Sequence, residues 1–269
     1  MPSFGHNFLT GLIQQGDDQA DPSRVAEGYV HLSSLLNFCP RMFRLMAKVT
    51  EPLMTYPKSA DRVMWAIGRA LEHHVRTQVI SSVTTRNVYG RWVCKCGETE
   101  LEGRGTLAVC NVCKTPVNGF REIPVFDHGL RISGSPDLIL VHGSKFRVVE
   151  IKSMNKTAFE ALTAPVANHI FQVNGYVRML EAAGHEVHDK AIIIYVMKDY
   201  AWKSPYKEFH VEKGALSSVL DSAFEQVRLF RQSESKGSMP PKLSACSSPD
   251  STVAKKCPLM VRCWSCKNP

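Results

Sequence analysis

Two apolar runs, Leu138 to Val141 and Phe146 to Ile151, flank the turn-forming residues His142-Gly143-Ser144-Lys145, a pattern that points to a β-hairpin. Such a hairpin brings the start of its first strand, Gly134-Ser135-Pro136-Asp137, beside the end of its second, Val148-Val149-Glu150-Ile151-Lys152. Residues two apart on a strand point the same way, so Glu150 and Lys152 share one face while Val149 and Ile151 turn into a core behind them.

Asp137, Glu150 and Lys152 then form a two-carboxylate-plus-lysine set. Hydrolysis of a phosphodiester needs a hard cation held by carboxylate oxygens, a water made nucleophilic, and positive charge to stabilise the phosphate. Asp137 and Glu150 supply the oxygens, and Lys152 supplies a compact cation for the water or the phosphate. An isolated Glu-x-Lys is more often a solvated surface pair; the Ser-Pro-Asp at the strand start sets this one apart.

Further motifs lie on both sides. Asp61 to Ser82 repeats apolar residues at Met64, Ile67, Leu71, Val75 and Val79, a helical stripe. Gly68 and Glu72 lie one turn apart beside it, the glycine allowing close approach of another backbone. Glu72, His73 and His74 are each placed to reach a metal from that flank. A second helix, from about Pro165 to Ala183 with Gly184 after it, projects Gln172 and Tyr176 from one face and Ile170, Val173, Val177 and Leu180 from its core face. Near the front stands Leu32-Ser33-Ser34-Leu35-Leu36-Asn37-Phe38-Cys39-Pro40-Arg41-Met42-Phe43-Arg44.

In order and spacing these motifs resemble the PD-(D/E)XK nucleases of the RecB-like branch, close to the CRISPR-associated iron–sulfur exonucleases and their standalone phage relatives. The resemblance spans roughly residues 30 to 266. It implies a restriction-endonuclease-like mixed sheet flanked by helices, with Asp137, Glu150, Lys152, Gln172 and Tyr176 at the catalytic site. Gln172 would meet metal-site groups or substrate, and Tyr176 would support DNA. It also implies Mg²⁺ or Mn²⁺ as activator, and DNA, as single strands or duplex ends, as substrate, in replication or recombination alongside a partner protein. The family places a histidine four residues after the helical glycine; here that position is Glu72 and His73 follows it, so the resemblance implies Glu72 and His73 jointly as the metal ligands from this helix.

Nine cysteines without a secretion signal point to metal binding in a reducing compartment, and no apolar run is long enough to span a bilayer, so a cytoplasmic location is expected. Cys94-x-Cys96 and Cys110-x2-Cys113 fit two knuckles of a small zinc ribbon, inserted over residues 92–116 ahead of the hairpin and able to grip DNA or brace the core. Cys246, Cys257, Cys263 and Cys266 cluster in a tail over residues 239–269. The family resemblance implies that three tail cysteines join Cys39 at an iron–sulfur cluster: Cys257, Cys263 and Cys246, with Cys266 a close rival to Cys246. Four thiolates suit a [4Fe–4S] cluster or zinc, and spacing alone does not separate the two.

The 269 residues suffice for one domain with an insertion. Helices are expected near 30–48, 61–82, 165–183 and 213–231, and strands near 86–93, 128–141, 145–152, 189–197 and 206–211, an α/β chain with a mixed sheet. The first 25 or so residues and the stretch Gln232 to Ser251 read as loosely ordered or loop. A formal charge of +8 suits a polyanionic partner. Arg41, Arg44, Arg69, Arg76 and Lys156 are candidates for phosphate contacts; Trp92, Tyr200, Trp202 and Tyr206 offer base-stacking surfaces, although each aromatic is more commonly partly core. No phosphate-binding Gly-x4-Gly-Lys-Ser/Thr loop is present, so the chain carries no motor of its own. Two rival readings are a structure-specific endonuclease and a non-catalytic DNA-binding adaptor.

Overall fold

The computed structural model describes residues 28–46, 59–83, 85–105, 108–199 and 204–265. In chain order the elements are β1 (Val30–His31), a tight helical turn (Leu32–Asn37), α1 (Pro40–Met46), α2 (Ser59–Ser82), β2 (Val88–Val93), β3 (Glu100–Arg104), β4 (Gly119–Arg121), β5 (Val125–Asp127), β6 (Ile132–Gly134), β7 (Leu138–His142), β8 (Lys145–Met154), α3 (Lys156–Ala161), α4 (Ala167–Ala182), β9 (Lys190–Met197), β10 (Tyr206–Glu212), α5 (Ser217–Ser235), α6 (Thr252–Lys255) and α7 (Met260–Ser265).

The expected hairpin is β7–β8, antiparallel with Leu138 opposite Val149 and His142 opposite Lys145. Its turn falls at Gly143-Ser144, where Gly143 takes φ 64°, a conformation open to glycine at little cost. The hairpin lies at the middle of a seven-stranded mixed sheet ordered β10-β9-β8-β7-β2-β3, with β4 also paired to β2. Within it β8 and β9 run parallel, setting Glu150 beside Ile193 and Lys152 beside Tyr195. A smaller sheet, β1-β6-β5, adjoins it.

Alternation along β8 divides the core. On one face Val148 joins Ile139, Ile193 and the inward residues of α4 and α5, among them Phe171, Val173, Val177, Phe224 and Val227. On the other, Val149 and Ile151 join Leu138, Val196 and Val75 of α2, and this cluster continues into Trp92, Cys94 and Cys110. Val149 and Ile151 therefore stand behind the Glu150 and Lys152 face, as the period of two requires.

Several elements depart from the sequence-based expectation. The helix expected over 30–48 is broken into a tight turn and α1, because Pro40 has no N–H to continue a helix and biases Cys39 towards extended backbone; Cys39 therefore sits immediately ahead of α1. The strand expected over 128–141 divides into β6 and β7 at Ser135-Pro136. The α2 stripe reaches the core only in its second half: Val75 is buried, whereas Met64 and Ile67 are 44% and 41% exposed. Helix α5 runs on to Ser235, so the loop begins later than expected. The first 25 residues lie outside the described ones.

Candidate active site

Asp137 stands where β7 and β8 meet. Its Oδ2 accepts a hydrogen bond from the Ile151 N–H at 2.7 Å, which ties it to the strand carrying Glu150. Glu150 is buried, its Oε1 2.5 Å from Lys152 Nζ. Its second oxygen, Oε2, is buried and meets no donor at hydrogen-bonding geometry among the described residues, although the Asp137 backbone N–H stands near enough to the carboxylate to favour its charged form. Leaving a buried carboxylate oxygen unmet is costly unless another group supplies charge, and this orphan is the observation at the hairpin that fits a cation.

The electrostatics agree. Burial, and next the nearby Glu150, raise Asp137 well above the usual carboxylate range. Burial also raises Glu150, against the pull of Lys152. For Lys152 burial works against the charged form, but Glu150, Asp137 and Glu72 together outweigh it and its pKa ends above the ordinary lysine value. Arg76 of α2 pairs with Glu122 and lies 3.6 Å from Asp137 Oδ1, so part of the local positive charge comes from a guanidinium. Glu122, between β4 and β5, is a third carboxylate acting on this site that no sequence motif marks.

Helix α2 crosses the opposite face of β8. Glu72 Oε1 accepts from the Ser153 backbone N–H at 3.1 Å and from its hydroxyl at 2.9 Å, which places this carboxylate one residue beyond Lys152. His73 is exposed and its Nδ1 lies 3.3 Å from an Arg76 nitrogen. Gly68 permits the expected close approach: a Cβ there would lie 2.7 Å from Ser153 Oγ. Gly68→Ala should push Ser153 off Glu72, an overpacking cost of about 1–3 kcal/mol from which a helix-propensity gain of about 1 kcal/mol is subtracted, read as a slightly lowered midpoint of thermal unfolding. A raised midpoint would mean that α2 and β8 are not held this close.

On α4, Gln172 Nε2 donates to the Tyr176 hydroxyl at 2.6 Å. Tyr176 is 1% exposed, packed where any side chain at Gly134 would strike its ring, and burial, then Glu150, raise its pKa. It supports Gln172 from within the core and offers no surface to a DNA strand, a correction to the role the family resemblance implies. Gln172 and Lys152 open onto a cavity of about 230 Å³, along with His169, a residue the sequence reading passed over.

The described cysteines fall into two sets. Cys94 Sγ lies 3.0 Å from Cys113 Sγ and 3.4 Å from Cys96 Sγ, and Cys96 Sγ 3.6 Å from Cys110 Sγ. Among the described residues this is the group of His, Cys, Asp or Glu donors, three or more strong, whose ligand atoms all lie within 4.8 Å of one another. Zn–S bonds of about 2.3 Å in a tetrahedron put sulfurs roughly 3.8 Å apart, so four thiolates here fit one ion. Each knuckle closes on backbone bonds, Gly97 N–H to Cys94 O at 2.9 Å and Lys114 N–H to Cys110 O at 3.0 Å. Cys39, Cys246, Cys257 and Cys263 line a second, mostly apolar pocket with Met42, Leu243 and Leu259. No three of these sulfurs meet the 4.8 Å spacing of the first centre. Cys266 lies outside the described residues.

One surface expectation, that for Arg41, is corrected, and Trp92 takes the core place that aromatics more commonly fill. Arg41 is 1% exposed, and its guanidinium donates to the carbonyls of Pro240 at 2.9 Å and Cys263 at 3.3 Å, so it fastens the tail and faces no phosphate. Trp92 is likewise 1% exposed, its indole N–H donating to Gly103 O at 3.1 Å. Arg44 lies 3.8 Å from Glu234 and Lys156 3.9 Å from Glu160, while Arg69 and Tyr206 are exposed. Tyr200 and Trp202 lie outside the described residues. Among the described residues no helix is long and apolar enough to cross a membrane.

No family model and no curated protein sequence matches the chain. Solved structures similar to it include the crystal structure of an alkaline exonuclease (LHK-Exo) from Laribacter hongkongensis, 14% identical over 78% of this chain and 93% of that one, with a TM-score of 0.39. The same exonuclease in complex with dAMP is 15% identical over 78% and 89%, with a TM-score of 0.40. Likeness at this level carries no functional weight of its own, and the side chains at the hairpin are what any assignment rests on.

Proposed function

We propose that the chain is a divalent-metal-dependent deoxyribonuclease of the PD-(D/E)XK, RecB-like kind, an exonuclease acting on single strands or DNA ends in replication or recombination. The observation that carries this reading is the orphaned Glu150 Oε2 beside Asp137, at the mouth of a hairpin whose lysine already occupies the other Glu150 oxygen. Asp137 and Glu150 would hold Mg²⁺ or Mn²⁺; Glu72, which is bonded to Ser153, and His73, which lies beside Arg76, would have to turn from these partners to join them. When bound, the ion lowers the pKa of a water and offsets charge on the scissile phosphate. Lys152 keeps Glu150 charged and presents its ammonium to the water or phosphate, while Gln172, braced by Tyr176, lies beside it. Digestion of end-labelled linear single- and double-stranded DNA alongside closed circles, with and without Mn²⁺, tests the reading. Mn²⁺-dependent loss of linear DNA with circles intact is expected. Cut circles would favour a structure-specific endonuclease, and no cleavage a non-catalytic adaptor.

The ribbon over residues 92–116 is read as a zinc site, structural or a DNA grip, and the tail over 239–269 as the seat of a [4Fe–4S] cluster. The first four sulfurs suit one tetrahedral ion, and the tail reading is supported by one pocket collecting Cys39 with Cys246, Cys257 and Cys263, the combination that the family resemblance implies. Cys246 shares that pocket and is taken as the fourth ligand. Elemental analysis is expected to give one zinc per chain, lost in Cys110→Ser. Unchanged zinc in that variant would overturn the ribbon.

A further inference from the structure

The cavity beside Lys152 is lined by donors and carries no carboxylate. Lys152, Asn168, His169 and Gln172 stand over Leu36 and Phe171, and Ser33 closes the rim. This contrasts with a larger cavity of about 400 Å³ between β5 and α4, where Glu102 and Asp127 would repel an anion.

His169 is oriented by its neighbours. The Val166 backbone N–H donates to the Tyr195 hydroxyl oxygen at 2.9 Å, which leaves the phenolic hydrogen to donate to His169 Nδ1, also at 2.9 Å. With Nδ1 accepting, the ring hydrogen sits on Nε2, and no described group accepts it. Tyr195 is itself buried and paired with Lys152 across β8 and β9, so the ring is held from beneath by the sheet that carries the catalytic lysine.

We infer that this cavity holds a backbone phosphate of the strand next to the one being cut, with His169 Nε2–H donating to a non-bridging oxygen; the inference deepens the nuclease reading and rests on it. His169 is then a positioning residue and takes no part in proton transfer. Burial and the Lys152 charge hold its pKa down to about 4, so the ring remains a neutral donor where the enzyme would work. Asn168 offers an amide to the same anion, and the apolar floor favours the partly dehydrated sugar over bulk water.

The test uses short single strands in which one phosphate at a time is made a neutral methylphosphonate. Affinity is read by fluorescence anisotropy in Ca²⁺ and KM by cleavage in Mn²⁺, for the full-length chain, His169→Ala and His169→Gln. A hydrogen bond to a charged oxygen is worth about tenfold or more in affinity. His169→Ala should weaken binding by that factor and raise KM, His169→Gln should recover most of it, and one methylphosphonate position should weaken the unmutated protein clearly more than it weakens His169→Ala, which keeps Asn168 and Lys152 at the cavity. The same penalty at every position in both proteins, or a glutamine variant as weak as the alanine one, overturns the inference. If the unmutated protein binds with this pattern but cuts nothing, the nuclease reading fails and the phosphate site stands.

Discussion

Glu150→Gln is expected to abolish strand cleavage while destabilising the fold less than Lys152→Ala does, because Lys152 is partly exposed and keeps Asp137 and Glu72 as neighbouring charges. The carboxylate is buried, raised by desolvation, and has one oxygen that meets no donor at hydrogen-bonding geometry, so in the absence of a cation its charge is a burden on the folded state. A neutral amide of the same shape removes that burden and with it the charge that would hold the metal. Turnover should fall by roughly 10²–10³-fold or more, the scale seen when one preorganised charge-stabilising group is lost. Lys152→Ala should lose turnover by a similar factor but behave differently as a protein. It strips Glu150 of its paired cation, and removing one partner of a buried pair costs about 3–5 kcal/mol. Cleavage assays with Mn²⁺ and thermal melts of both variants separate the two effects. Turnover of the glutamine variant within tenfold of the unmutated chain would sink the assignment of this hairpin as the catalytic centre.

The hairpin was legible because its information is local. A period of two, a glycine at the turn and a proline ahead of Asp137 specify which side chains meet, and β7–β8 follows that pattern residue for residue. The ribbon sulfurs were legible for the same reason, since each knuckle is a few residues long. What escaped depends on long-range packing. Glu122 reaches the site through Arg76, and His169 is set by Tyr195, 26 residues on; neither pairing leaves a periodic mark. Arg41 was misread, and Trp92 left between stacking surface and core, because arginine and tryptophan serve surfaces and cores alike, and only the arrival of Pro240, Cys263 and Gly103 decides which. The proline that breaks the front helix was visible, but its consequence, Cys39 aimed at the tail from the start of α1, required the tail to be in place.

Anaerobically purified protein is expected to be brown, and Cys39→Ser to bleach it and lower its thermal stability by roughly 10 °C. The size follows from chain entropy. A cluster joining Cys39 to Cys246, Cys257 and Cys263 ties together residues more than 200 positions apart, and a cross-link over a loop of that order constrains the unfolded chain by roughly 4–5 kcal/mol in the entropic model. At about 2–4 °C per kcal/mol for a chain of this size, that is a shift of this magnitude. The tail should not come away altogether, because the buried Arg41 guanidinium still donates to the Pro240 and Cys263 carbonyls without any cluster. Adding Arg41→Ala to Cys39→Ser should therefore release it, detected as new proteolysis after residue 240. Cys257→Ser and Cys263→Ser should match Cys39→Ser. Of Cys246→Ser and Cys266→Ser, only the first should bleach, since Cys246 shares the pocket with Cys39. Colourless protein with two zincs and no iron, even after anaerobic reconstitution, would replace the cluster with a second zinc site; bleaching by Cys266→Ser with Cys246→Ser still brown would reverse the ligand assignment.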